Sequence, residues 1–283
     1  MTQAMVSASD VMHIDDCDLD EALTIVSTFG SARYGYVVTA NVDHAIRHYC
    51  EAQFRTIYAN AAYVLLDSRF LVRVLRVLKR QRLRASPGSD LTKAMFVHMI
   101  KPRDVTVVVG GTAHQAQELR ARFGLKALHH IDPPMNFIRD AGAVENCLRE
   151  IEARSPFRFC FLAIGSPQQE IIAHKLQERG TARGLALCIG ASINYITGAE
   201  RRAPHWVQQI GLEWLFRLIQ HPRRLAHRYL LRGPRIFWLA WHIQLRLRRP
   251  KVVLGEHIAL SGEHPKTEVT GDELNAPGVI RVT

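Results

Sequence analysis

The chain has 283 residues, of which 47% are hydrophobic and 22% charged, a balance that is ordinary for a globular protein with a sizeable core in one large domain or two small ones. The longest apolar stretch, IFWLAWHI from Ile236, is far short of the ~20 residues that span a bilayer, so no transmembrane helix is predicted. The formal charge of +11 admits an anionic partner: nucleic acid, an acidic membrane surface or a phosphorylated substrate.

In chain order, Met1 to Asp20 turns acidic where an export signal needs a basic flank and an apolar run, so a cytoplasmic location is expected. Short runs rich in Val, Ile and aromatic residues then alternate with longer segments of helical period, the arrangement of a parallel sheet with crossover helices. Strands are predicted over 34–40, 62–67, 105–111, 126–131, 157–165 and 184–190, the first of them beginning the sheet. Helices are predicted over 44–58, 113–123, 144–153 and 168–179, with Gly124 and Gly180 as C-terminal stops. The fold class is therefore α/β, a Rossmann-like, mainly parallel sheet with flanking helices. From Pro204 strand signals end, and a basic, aromatic, helical appendage is expected to about residue 250, followed by a disordered tail over 251–283. Residues 1–203 would form the catalytic domain. Between Arg201 and Lys251 twelve lysines or arginines face the single carboxylate of Glu213, which equals the whole formal charge.

Cys17, Cys50, Cys147, Cys160 and Cys188 are scattered and form no CxxC pair, so neither a disulfide framework nor a zinc site is suggested. The string DDCDLDE at 15–21 contains the D-x-D pattern that holds a divalent cation in many nucleotide-sugar enzymes. It precedes the run EALTIVSTF, where acidic residues favour the positive end of a helix dipole, and it is read as a helix start placed before the first strand. No metal and no other cofactor is expected.

In open parallel sheets a ligand binds at the carboxyl ends of the strands, where loops and helix N-termini present free backbone N–H groups. Those ends carry Thr39 and Asn41, Asp67, Gly110 and Gly111, Gly165 with SPQQE after it, and Gly190 with Asn194. Their convergence would suit a ligand of nucleotide size. A nicotinamide cofactor would need G-x-G-x-x-G after the first strand, and that signature is absent.

The segments TANVDH, LLDS, GSDL, VVVGG, GSPQQE and RRAPHWVQQIGLEWLFRLIQHPRRLAHRYL occur in the order of, and resemble, the WecG/TagA/CpsF family of bacterial glycosyltransferases, over about residues 36–235. The resemblance implies transfer of a sugar from a UDP-sugar to a polyprenyl diphosphate-linked saccharide at the inner face of the cell membrane. Matched residue by residue, Asp67 takes the place of the general base, with Thr39, Asn41 and Gln169 around the reacting groups. Gly165, Pro167, Gln169 and Glu170 match the GxPxQE element, and Gly88, Asp90 and Leu91 the G-x-D-L element. The chain departs from the pattern at Leu66 and Ser68 beside Asp67, at Asn194 where an aspartate commonly meets the nucleobase, and at Ala85, with Arg84 one position displaced.

The appendage is amphipathic. Ile210, Trp214 and Leu218, with Leu215 and Ile219, form one apolar side, while Arg217, Arg224 and Arg228 recur at helical spacing. With Arg84 and Arg202 these arginines are candidates to meet the substrate diphosphates or an anionic membrane surface, and Trp238, Leu239 and Trp241 to enter the bilayer interface. Packing of the apolar side on the core or on a second subunit is the plainer alternative. A nucleic-acid-binding role for the basic stretch is the runner-up, but no groove-reading motif accompanies the charge, and a nucleic-acid partner is not expected.

Overall fold

The computed structural model describes residues 11–80, 82–226 and 244–250. The chain runs β1 (Val11–Asp15), α1 (Leu19–Thr28), β2 (Tyr34–Ala40), α2 (Val42–Cys50), α3 (Ala52–Asn60), β3 (Tyr63–Leu66), α4 (Arg69–Lys79) and α5 (Gly88–His98). It continues through β4 (Thr106–Val109), α6 (Ala113–Phe123), β5 (Leu128–Ile131), α7 (Ala141–Glu152), β6 (Phe159–Leu162), α8 (Gln168–Arg179) and β7 (Gly184–Cys188). The last described elements are α9 (Ser192–Ile196), α10 (His205–Gln209), α11 (Glu213–Gln220), α12 (Pro222–Ala226) and β8 (Gln244–Arg248).

Six strands form one all-parallel sheet in the order β3-β2-β7-β6-β4-β5. The strands are Val-, Leu- and Phe-rich because both faces of such a sheet are covered by helices. Side chains alternate between two cores. Tyr36, Val38, Val64, Leu66, Val109, Leu162 and Cys188 point to one face, with α3, α7 and α8 packed over them. Val37, Leu65, Val108, Phe161 and Leu187 point to the other, beneath α1, α5 and α6. Burying large apolar side chains on two faces at ~25 cal/mol per Å² is the main term holding the layers together.

The helix expected over 44–58 is two helices, because Glu51 adopts an extended conformation, φ −119° and ψ 115°, and the chain turns there so that Phe54, Ile57 and Tyr58 reach the core beside Ile46. Neither glycine nor proline marks that break. A second correction concerns the ends of the chain. The acidic segment does not lie before the first strand: Asp15 closes β1, and strands do not cease at Pro204, because β8 pairs in parallel with β1 from Val11↔Gln244 to Asp15↔Arg248. Neither five-residue strand is stable by itself, and each is defined by the other.

Asp15, 2% exposed, holds this junction. Its Oδ1 and Oδ2 accept from Arg248 at 2.6 and 2.9 Å, and Oδ2 also accepts from the Val64 N–H at 2.7 Å, which joins the pair to the edge strand β3. Asp18 caps α1 in a reciprocal capping box with Glu21, so the rest of the acidic string does serve as a helix start. The tail over 251–283, Arg228, and Trp238, Leu239 and Trp241 lie outside the described residues. All five cysteines are free thiols.

Replacing the buried carboxylate removes both the partner of Arg248 and the acceptor of an edge-strand N–H. Asp15→Ala should therefore lower stability by about 3 kcal/mol in denaturant titration. Arg248→Gln should cost at least as much at neutral pH, because it leaves the buried Asp15 carboxylate without its counter-charge, whereas the arginine left by Asp15→Ala is more than a third open to water.

Candidate active site

The sheet order places the carboxyl ends of β3, β2, β7 and β6 side by side, and over them lies a cleft of about 670 Å³, within the roughly 300–1,000 Å³ of small-molecule sites. Its floor is Thr39, Asn41 and Asp67, one wall is Gly165, Ser166, Gln169, Gly190 and Ser192, and the roof is Gln208, Glu213, Trp214 and Arg217 from α10 and α11. Thr39, Asn41, Asp67, Gly165, Gln169 and Arg217 are thus brought together.

Asp67 follows β3 directly and is half-buried. Its Oδ1 accepts the Gly88 N–H at 2.6 Å. Glycine at 88 fits closely here: a Cβ would meet the Thr39 side chain at 3.0 Å and would push it aside by a few tenths of an ångström. Burial raises the Asp67 carboxyl above the ordinary carboxylate range, against the lowering effects of the Gly88 N–H and of the positive charges of Arg217, His44 and Arg202. Glu213 faces the same cleft and is also raised, first by burial and further by the charge of Asp67, with Arg202 acting against the rise.

Three of the polar residues have structural duties that define what they offer a ligand. Asn41 caps α2, its Oδ1 accepting from the N–H groups of Asp43 and His44, which leaves its NH₂ for a ligand. Thr39 donates its hydroxyl to the Cys188 carbonyl at 3.1 Å, tying β2 to β7. Gln169, buried, accepts from the Gly190 N–H at 2.9 Å and donates to Glu170 at 2.7 Å, so it joins the β6 and β7 loops.

Asp90 lies behind the cleft wall rather than in it. It binds Arg202 through Oδ1 and Arg69 through Oδ2 at 3.1 Å. Burial works against its charge, but the hydrogen bond and charge of Arg202, then those of Arg69, win and hold its carboxyl below the ordinary value. Nε and Nη2 of Arg202 are buried and have no hydrogen-bond partner among the described residues. Arg217 lies over the Tyr195 ring at 5.8 Å.

Other expected residues are not in the cleft lining. Gly110 and Gly111 turn out of β4, which β6 separates from β7, so they sit two strand spacings, ~10 Å, from the β7 end. Asn194 is beside them: its Oδ1 accepts from Gln115 at 2.9 Å and its NH₂ donates to Glu200 at 3.2 Å. Arg84 is turned away, held by Asp16, Asp18 and Glu21 of the N-terminal segment. Arg224 is on α12, and its side chain is outside the description. The apolar side of α11 divides: Trp214 meets Phe70 edge-on at 5.9 Å in the cleft, while Ile210, Leu215 and Ile219 are exposed.

Sequence reasoning missed His44, Arg69 and Glu213. His44 donates through Nδ1 to the Thr39 carbonyl at 2.8 Å and faces the buried Glu170 with Nε2 at 3.6 Å. Its only sequence signal is its place three residues after the Asn41 cap. Among the described residues no group of three or more His, Cys, Asp or Glu side chains is placed to hold a metal ion, and no helix is long and apolar enough to cross a membrane.

Residues 9–250 match the model of the glycosyl transferase WecG/TagA/CpsF family, and the chain belongs to that family. It is a glycosyltransferase of cell-surface polysaccharide synthesis. The match takes in both β1 and β8, and so the junction of the two ends.

The opposite shifts of Asp67 and Asp90 give opposite stability effects. Ionising Asp67, whose folded value is raised, costs stability at pH above that value. Asn keeps the Gly88 hydrogen bond, so Asp67→Asn should hold or raise Tm at neutral pH, and the gain should vanish below about pH 4. Asp90, held low, contributes stability above its unfolded value, and this is lost as pH falls through the folded one. Asp90→Asn should lower Tm at pH 7 and make little difference in strong acid.

Proposed function

We propose that the chain is an inverting glycosyltransferase that moves a hexosyl or N-acetylhexosaminyl group from a UDP-sugar to a polyprenyl diphosphate-linked saccharide, working peripherally at the inner face of the cell membrane. The observation that carries this reading is the setting of Asp67, a carboxylate raised by burial on the floor of a cleft with guanidinium groups above it.

In this reading Asp67 takes the proton of an acceptor hydroxyl as its oxygen bonds to the anomeric carbon. The bond from that carbon to the UDP oxygen breaks on the opposite face, and its electron pair leaves with the diphosphate. Arg217 and Arg202, whose Nη2 has no hydrogen-bond partner among the described residues and whose Nε faces Glu213 at 3.8 Å, meet the charge that develops there, arginine being suited to bidentate contact with phosphate. The N–H groups around Gly165 and Gly190 and the NH₂ of Asn41 orient donor and acceptor. The uridine is assigned to the side of Asn194, Gly110 and Gly111, where Gln115 joins the β4 and β7 loops. The Asn194 amide, bonded to Gln115 and Glu200, keeps a second N–H and a second lone pair to offer uracil. Exposed Trp206, Ile210 and Ile219 support contact of α10 and α11 with a membrane that holds the acceptor.

The direct experiment incubates a panel of UDP-sugars with a lipid diphosphate-linked saccharide and weighs the product by mass spectrometry. Asp67→Asn should keep nucleotide binding and lose on the order of 10²–10⁴ in turnover, the usual range for a general base, and near-normal turnover would overturn the assignment. The pH profile supplies a second check. Activity should fall as pH drops through the raised Asp67 value, and Arg217→Gln, by removing a charge that opposes the rise, should move that limb to higher pH.

A further inference from the structure

A second basic block lies outside the 201–251 stretch. From Arg69 to Arg84 the chain carries seven lysines or arginines and no carboxylate. Three of them have partners: Arg69 holds Asp90 and Gln208, Arg73 donates to the carbonyls of Gln209 and Ile210, and Arg84 is neutralised by Asp16, Asp18 and Glu21. Arg76, Arg80 and Arg82 are exposed, and among the described residues none of the three has an ion-pair or hydrogen-bond partner.

Their placement is ordered. On α4 the side chains of Leu71, Val72, Val74 and Leu75 are buried. Arg73, Arg76, Val77 and Arg80 follow at steps of three, one and three, and so form one outward stripe in which Val77 is 77% exposed. Two features work against local stability. Like charges three and four apart repel along the helix. Arg80 also ends α4 in the left-handed region, φ 54°, where glycine is the favoured residue. The stripe does not stand alone, because Arg73 reaches the carbonyls at the end of α10 and Phe70 packs on Trp214. It is therefore continuous with exposed Ile210 and with the apolar surface of α10 and α11.

We propose that Arg76, Val77 and Arg80 of this stripe, together with Arg82 just past the end of α4, are a docking surface for the anionic headgroups of a lipid bilayer. Charge complementarity selects that occupant: three exposed guanidinium groups without a hydrogen-bond or ion-pair partner among the described residues, two of them (Arg76 and Arg82) lining a hollow with Asp16, accompany the exposed Val77, the pattern of a helix lying on an anionic interface. The proposal rests on the reading that the acceptor is carried by a membrane. Docking through both α4 and α11 would hold the cleft roof against the bilayer on two sides, with the mouth between them.

The test uses the full chain and phosphatidylcholine vesicles with and without phosphatidylglycerol, read by sedimentation at low and high salt. The triple variant Arg76→Gln, Arg80→Gln, Arg82→Gln should bind the anionic vesicles at least tenfold more weakly at low salt, toward a ceiling of about 100-fold for three arginines. Its transfer to a short, soluble acceptor should match that of the unaltered chain. Arg80→Gly separates docking from folding: Tm should hold or rise as the left-handed strain is relieved, while vesicle binding weakens. If the triple variant sediments like the unaltered chain while Trp206→Ser with Ile210→Ser releases it, the stripe assignment is wrong and the membrane reading stands. If the unaltered chain ignores anionic vesicles, both fall. If the triple variant loses retention on DNA cellulose but not on vesicles, the stripe serves nucleic acid and the proposal is overturned.

Discussion

The Asp67 carboxyl sits where burial penalises charge, and much of the cleft can be understood as the compensation for that penalty. The Gly88 N–H meets one oxygen, and the fields of Arg217, His44 and Arg202 pull against desolvation. The balance leaves the carboxyl raised, the direction that favours the proposed exchange of a proton with an acceptor hydroxyl. Each compensating group in turn needs support. Gly88 packs closely against Thr39, and Arg202 is held by Asp90, which Arg69 shares. A network that begins at one strand end thus extends through α4 and α5 to α10.

The same network ties the basic segment to the sheet. Arg69 bonds Gln208, Arg73 bonds the last carbonyls of α10, and Trp214 lies on Phe70. A short helix such as α11, with none of its residues fully buried, has little core of its own, so these contacts with α4 decide where it sits. Farther on, β8 returns to β1, and the buried Asp15 fastens both to β3. The two ends of the family-matched region are therefore anchored at the β3 edge, the side of the sheet that carries Asp67.

Charge is divided by use. Arginines facing carboxylates, at 47, 69, 84, 149, 179, 202 and 248 among the described residues, have structural partners. Arg217 faces the cleft, and Arg76, Arg80 and Arg82 face outward. The net charge of the appendage drew attention to residues 201–251, whereas the block in α4 is offset in the chain total by acidic residues elsewhere. Only its position on one helix face separates it from the carboxylates that balance it.

The sequence by itself determined the six sheet strands, the α/β class and the strand ends over which the cleft lies, because an apolar run with covered faces and a turn after it is a local pattern. It also carried Thr39, Asn41, Asp67, Gly165 and Gln169, which lie next to those turns. It could not show the break at Glu51, which core packing imposes on a chain without a glycine or proline there. Nor could it show β1 and β8, since VMHID and QLRLR acquire meaning only when Asp15 meets Arg248 more than two hundred residues away. Which ends meet in one cleft was likewise settled by strand order: β6 between β4 and β7 keeps Gly110 and Gly111 out of the lining, and the N-terminal carboxylates draw Arg84 away from it. Neighbours along the chain decide local conformation, but the partner of a charge and the neighbour of a strand are set by distances that exist only after folding.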